Sequence, residues 1–173
     1  VAGYRLIGYE NRMLAARDFN DDKKDAGELG AGHTVTALYE IVPAGQRVPN
    51  AVVDPLKYQT PPAQASAADS NDLLTIKLRY KKPSGATSKL MSRTVQLPKA
   101  DTSTSASFRW ASAVAAFGML LRDSPHRGNA TWDSVIDLAT SAVGTDRSGQ
   151  RMEMVVLAKE ARRLAMTSAQ LEP

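Results

Sequence analysis

Asp18, Asn20, Asp22 and Asp25 place oxygen at alternate positions of an acidic stretch, DFNDDKKDAGELGAGH, a pattern able to wrap a hard cation such as calcium. Aligned with Asp18 as the first ligand of an EF-hand loop, the glycine needed at the sixth place is Lys23 and the bidentate glutamate at the twelfth is Leu29. The residues that turn and close such a loop are missing. The expectation is a solvated turn whose aspartates cap local amides and whose lysines, Lys23 and Lys24, balance the charge. Gly27, Gly30 and Gly32 are suited to cradling phosphate only if a helix follows, and the pattern after them is that of a strand, so they are read as turn residues.

Asp101, Thr102, Ser103, Thr104 and Ser105 spell DxSxS, the magnesium-binding signature of von Willebrand factor type A domains. Here it follows a proline-terminated strand, with too few alternating strands and helices around it to build that doubly wound sheet. It reads instead as the N-cap region of a helix over Phe108–Leu121. The two histidines, His33 in a glycine turn and His126 in a loop, have no neighbours in sequence that would form a metal pair or a base and nucleophile. Glu10 and Glu28 sit in polar surroundings and read as ordinary surface residues. No catalytic residue, metal ligand or cofactor is expected.

The elements that must position these residues divide into a β-rich part, residues 1–100, and a helical part, residues 101–173, together predicted as one α+β domain. Tyr4–Tyr9 reads as a strand apolar on both faces, and MLAARDF has length for only one or two helical turns. Val35, Ala37, Tyr39 and Ile41 alternate with polar positions in a second strand over Thr34–Val42. Val48–Tyr58 is an irregular strand broken by Pro49 and Pro55, and residues 59–72 read as a mobile loop. Leu74, Ile76, Leu78 and Tyr80 then alternate with Thr75, Lys77, Arg79 and Lys81 as a half-buried strand, joined through KPSGATS to its partner LMSRTVQL. The first hundred residues thus suggest a small, mostly antiparallel sheet or a sandwich-like arrangement.

Between Leu73 and Ala100 the chain carries no acid, and the expected solvent face holds Lys77, Arg79 and Lys81, with Lys82, Lys89 and Arg93 nearby. Such a face suits an anion or polyanion. It equally suits an edge strand that lysines protect from pairing, and the aromatic interleaving of single-strand binders is absent, so nucleic acid is not the expected partner.

Three helices follow. The first, with Trp110, Val114, Phe117 and Leu121 on one face and Ala111, Ala115 and Gly118 beside it, is apolar nearly all round and is expected to be central and buried. The second starts at the N-cap Thr131, runs along Trp132, Val135, Ile136, Ala139 and Val143, and closes at Gly144. The third extends from about Gly149 to Met166 with Met154, Leu157, Ala158, Ala161, Leu164 and Ala165 facing inward.

The 173 residues are 43% apolar and 23% charged, within the range of a globular domain able to bury a core. The absence of cysteine removes disulfides, thiolate catalysis and sulfur-ligated zinc. A net charge of +4 favours anionic neighbours without selecting one, and no apolar run reaches the roughly 18 residues of a membrane span. Because Val1 opens within a patterned segment, with neither an initiator Met nor a signal peptide, the chain is read as a piece whose targeting information lies upstream.

In order along the chain, RLIGYENR, DFNDDKKDAGELGAGHTVTALYEIVP, LRYKKP, SFRWASAVAAFGMLLRDSPHRG and DRSGQRMEMVVLAKEA resemble the C-terminal domain of bacterial von Willebrand factor type A domain-containing proteins. The resemblance covers nearly the whole length except Gln59–Asp72. Met152 and Met154, beside Glu153, stand where an aromatic is expected in relatives. The resemblance implies an upstream domain that holds the metal site, a bacterial envelope or secreted setting, and no catalytic residues to carry over. The DxSxS at Asp101 is not the metal motif of that family. Function is therefore expected to be contact: docking on the upstream domain, with Tyr4, Leu6, Tyr9, Asp18, Asp22 and His33 as candidate contact residues. The alternative is an anion-binding face of Lys77, Arg79, Lys81, Lys82 and Arg93.

Overall fold

The computed structural model describes residues 1–8, 13–25, 27–43, 45–46, 71–97 and 103–169. Tyr9, Glu10, the Val48–Tyr58 strand, the greater part of the 59–72 loop, and Asp101 and Thr102 lie outside the described residues. The fold is α+β, with four strands and three helices among the described residues. The chain divides into two compact units, Val1–Ala100 and Asp101–Pro173.

In the first unit, β1 (Gly3–Ile7) pairs antiparallel with β2 (Leu38–Val42), so that Tyr4 lies opposite Ile41, Leu6 opposite Tyr39 and Arg5 opposite Glu40. The Arg5 Nε donates to Glu40 Oε2 at 2.5 Å across this pair. The second strand was expected to start at Thr34. It starts four residues later because the register would pair Ala37 with Gly8, and Gly8 takes φ +75, a left-handed conformation that ends an extended ladder. Between the two strands lie a single 3₁₀ turn at Ala16–Asp18, the acidic turn and the glycine turn. A second hairpin joins β3 (Asp72–Tyr80) to β4 (Lys89–Gln96), with Leu78 opposite Met91, Ile76 opposite Arg93 and an irregularity between Asp72 and Leu74. The two hairpins form separate two-stranded sheets.

The second unit is built on α1 (Ala106–Leu121), α2 (Trp132–Ser141) and α3 (Gln150–Ala169). The Ser105 Oγ accepts from the Phe108 N–H at 3.1 Å, so the serine run does cap α1. Thr131 and Ser134 exchange side-chain and backbone hydrogen bonds in a reciprocal capping box at the start of α2. Gly144, at φ +58, follows the end of α2. Ala113, Ala139 and Ala158 are fully buried; residues this small allow the helices to approach closely, and Val135 and Val155 fill the space between them. Phe117 meets Trp132 edge to face at 6.0 Å. Arg151 ties the helices together: its guanidinium lies 5.1 Å from the centre of the Trp110 ring, and Nη1 donates to the Val143 carbonyl at 2.9 Å.

Two expectations about this unit need correction. The first helix is not buried on all sides: Ala113 and Met119 face the core, while Phe108, Val114 and Leu121 are exposed. In α3 the buried residues are Val155 and Ala158, with Leu157 and Leu164 exposed. The core face of each helix is set by where small residues permit contact rather than by its bulkiest stripe.

Candidate interaction surface

The acidic turn is ordered first by its own backbone. Asp18 C=O accepts from the Asp21 N–H at 3.0 Å, Asp21 Oδ1 accepts from the Lys23 N–H at 2.9 Å, and Lys24 Nζ lies 3.7 Å from Asp18 Oδ2. Asn20 and Asp22 face the second hairpin. Asn20 Oδ1 accepts from Arg79 Nη1 at 2.8 Å, and the Asp22 carbonyl accepts from Lys81 Nζ at 2.5 Å. The Asp22 carboxylate takes the Ser88 N–H at 3.3 Å and lies 3.9 Å from Arg79 Nη2, while Arg79 Nε donates to Ser88 Oγ at 2.8 Å. Hydrogen bonds from the Ser88 side chain and backbone, aided by the charges of Arg79 and Lys81, hold the Asp22 carboxyl below its ordinary value of 3.8 against the opposing cost of desolvation.

Of the residues considered for calcium, Asp18, Asn20 and Asp22 therefore have oxygens directed at cationic and amide partners. Among the described residues no three acids or histidines lie together as a metal-holding group. His33 closes the glycine turn, its N–H donating to the Gly30 carbonyl at 3.1 Å. A side chain at Gly30 would meet the imidazole, whose Nδ1 lies 2.5 Å from where a Cβ would stand. His126, in the loop after α1, has its N–H on Ser124 Oγ at 3.3 Å. An open depression beside it is lined by Leu120, Arg127, Asn129, Thr131 and Trp132, with Arg127 its one charged group.

The basic residues do not form the single face expected of them. Cross-strand partners share a side of a sheet, so Lys77 and Arg79 lie on one face with Ser92 and Leu90, and Arg93, opposite Ile76, lies on the other. Lys81 and Lys82 belong to the turn that follows β3. Arg79, moreover, is partly buried under the acidic turn instead of facing solvent.

The apolar positions show the converse. On the face shared by Leu74, Ile76, Leu78, Tyr80, Met91 and Val95, Ile76 is 54% exposed, Leu78 51% and Met91 53%. On the first sheet Tyr4 is 73% exposed and its ring lies tilted against that of Tyr39, with centroids 6.4 Å apart, and Leu6, opposite Tyr39, is half-buried. Every buried core residue among the described residues belongs to the helical unit. Among the described residues of the β unit, these apolar side chains remain about half exposed.

Comparison with known proteins bears on what this surface serves. The family model described as "Uncharacterized protein YfbK, C-terminal" matches residues 1–164. The chain belongs to the YfbK C-terminal family. It is 37% identical over 161 residues to "Uncharacterized protein YfbK" of Escherichia coli (strain K12), a match that covers 91% of this chain and 26% of that relative. The chain thus spans about a quarter of the length of the YfbK protein it matches. No solved structure matches it. Among the described residues no helix is long and apolar enough to cross a membrane.

Ser88 was missed as a site residue by sequence reasoning, and Asn20 was considered only as a calcium ligand. The contacts of the acidic turn with β3 and the turn after it join positions 59 to 66 residues apart, which no local pattern reveals. A charge signal was nevertheless present. Residues 18–28 hold five acids against two lysines, and residues 73–100 hold seven basic residues and no acid, so the two stretches are electrostatic complements.

Proposed function

We propose that this chain is a non-enzymatic accessory domain that docks on an upstream von Willebrand factor type A domain of the same protein, in a bacterial envelope or secreted setting, and presents surface to a protein partner. The observation that carries this reading is the half-exposed apolar face of the β3–β4 hairpin, in a unit whose described residues include no buried one. Isolated two-stranded sheets are marginal in water, and a third layer or strand is the usual remedy. Family membership supports the same reading, because the related protein extends well beyond the matched portion.

Docking that completes the burial of Ile76, Leu78 and Met91 would gain about 1 kcal/mol for each side chain, half of a full burial. The test is capture in trans, with the upstream domain immobilised and this chain offered in solution. Retention that falls at least tenfold with Leu78→Asp supports docking through this face; equal retention of the altered and unaltered chains refutes it.

The rival reading, a polyanion-binding face of Lys77, Arg79, Lys81, Lys82 and Arg93, has less support. These residues are split between two faces and a turn, and Arg79 and Lys81 are engaged within the chain. Salt-dependent retention on heparin that charge reversal of Lys77 abolishes would favour it.

A further inference from the structure

We propose that Arg79, Lys81 and the Ser88 N–H form a binding site for a compact oxyanion, a phosphate or a carboxylate, and that Asp22 fills this site as an internal plug. Arg79 and the Ser88 N–H face the Asp22 carboxylate, and Lys81 Nζ donates to the main-chain carbonyl of the same residue, so three donors of the second hairpin converge on one residue of a turn about 60 positions away. This is the donor set by which proteins hold carboxylate and phosphate oxygens, with a planar guanidinium, a point-charge ammonium and an oriented amide.

The plug fits loosely. Its carboxylate oxygens stand 3.3 Å from the Ser88 nitrogen and 3.9 Å from Arg79 Nη2, where a close charge-assisted hydrogen bond measures about 2.8 Å. A third of the Asp22 side chain is exposed, which gives a dissolved anion access to the same donors. Lys77 on the face of Arg79 and Lys82 next to Lys81 add to the positive field, and residues 73–100 contribute no acid of their own to oppose it.

An anion that displaces Asp22 removes the link from its carboxylate to the hairpin, so occupancy of the site and the position of residues 18–25 are coupled. By linkage the effect is reciprocal: whatever lifts the turn strengthens anion binding, and a bound anion weakens the hold on the turn. The basic hairpin is then a gated site instead of a permanently open polyanion surface.

The experiment follows the Ser88 amide by heteronuclear NMR as inorganic phosphate is added at constant ionic strength. Asp22→Asn removes the competing charge and keeps the side-chain size, and should raise the phosphate affinity reported by Ser88 at least tenfold over the unaltered chain. Adding Arg79→Gln and Lys81→Gln to Asp22→Asn should abolish the gain. Asp22→Ser serves as a second uncharged variant if the asparagine substitution disturbs the turn, with folding read from the amide spectrum. A parallel titration with acetate separates the two ligand sources, since a response to phosphate alone or to both assigns the class. A response to neither in the uncharged variants, or a gain that survives loss of Arg79 and Lys81, overturns the proposal.

Discussion

The helical unit and the β unit solve the problem of stability differently. In the helical unit, Ala113, Ala139, Ala158, Val135 and Val155 close a core within the chain, and caps at Ser105 and Thr131 satisfy helix ends. In the β unit the described apolar side chains remain largely in contact with solvent, and the tie between distant segments is polar: Arg79, Lys81 and Ser88 against Asn20 and Asp22. Hydrophobic burial is the dominant favourable term in folding, whereas exposed ion pairs contribute about 0–1 kcal/mol each. Among the described residues only the helical unit closes a core, and the contrast is what the proposed completion of the β unit by contact would require.

Substitutions can break this comparison. Ala139→Leu places three extra carbons in a fully buried helix contact and should cost about 1–3 kcal/mol in the helical unit, read as a lower urea midpoint by circular dichroism at 222 nm. Thr131→Ala removes half of the capping box and should cost about 1 kcal/mol by the same measurement. Leu78→Ala, equally apolar in what it deletes, should cost less than about 1 kcal/mol in this chain alone because half of the side chain is already in water. A loss of several kcal/mol at Leu78 would show that the β unit has a core of its own.

The smallest effect should come from pH. Because the folded Asp22 carboxyl is held below 3.8, its contribution to the turn is complete above that value and is lost as pH falls through the lowered folded value. The Ser88 amide shift should therefore be flat near neutrality and move only below the ordinary aspartate range. Asp22→Asn should remove that movement, and its persistence would assign the titration to another group.

The helices were the more legible part of the fold. Thr131, the Trp132–Val143 stripe and Gly144 fixed α2 through local rules, since caps and 3.6-residue periodicity act within one or two turns. The alternation of Leu74 to Tyr80 likewise marked β3 and its apolar face. Burial was less legible. Whether Ile76 or Phe108 is covered depends on what lies against it, and periodicity gives the face without the neighbour. The candidate site was legible in its halves, the acidic turn and the basic hairpin, and illegible as a pair. Register and loop path bring Asp22 to Ser88, and neither is encoded within a short window.

The most direct test of the proposed docking is backbone hydrogen exchange of β3 and β4 in two samples: this chain alone, and this chain joined to the proposed upstream domain. The amides of Ile76, Leu78 and Met91 should exchange at least tenfold more slowly in the joined protein, while those of Val135 and Val155 change little. Equal exchange at the hairpin in both samples would contradict the account.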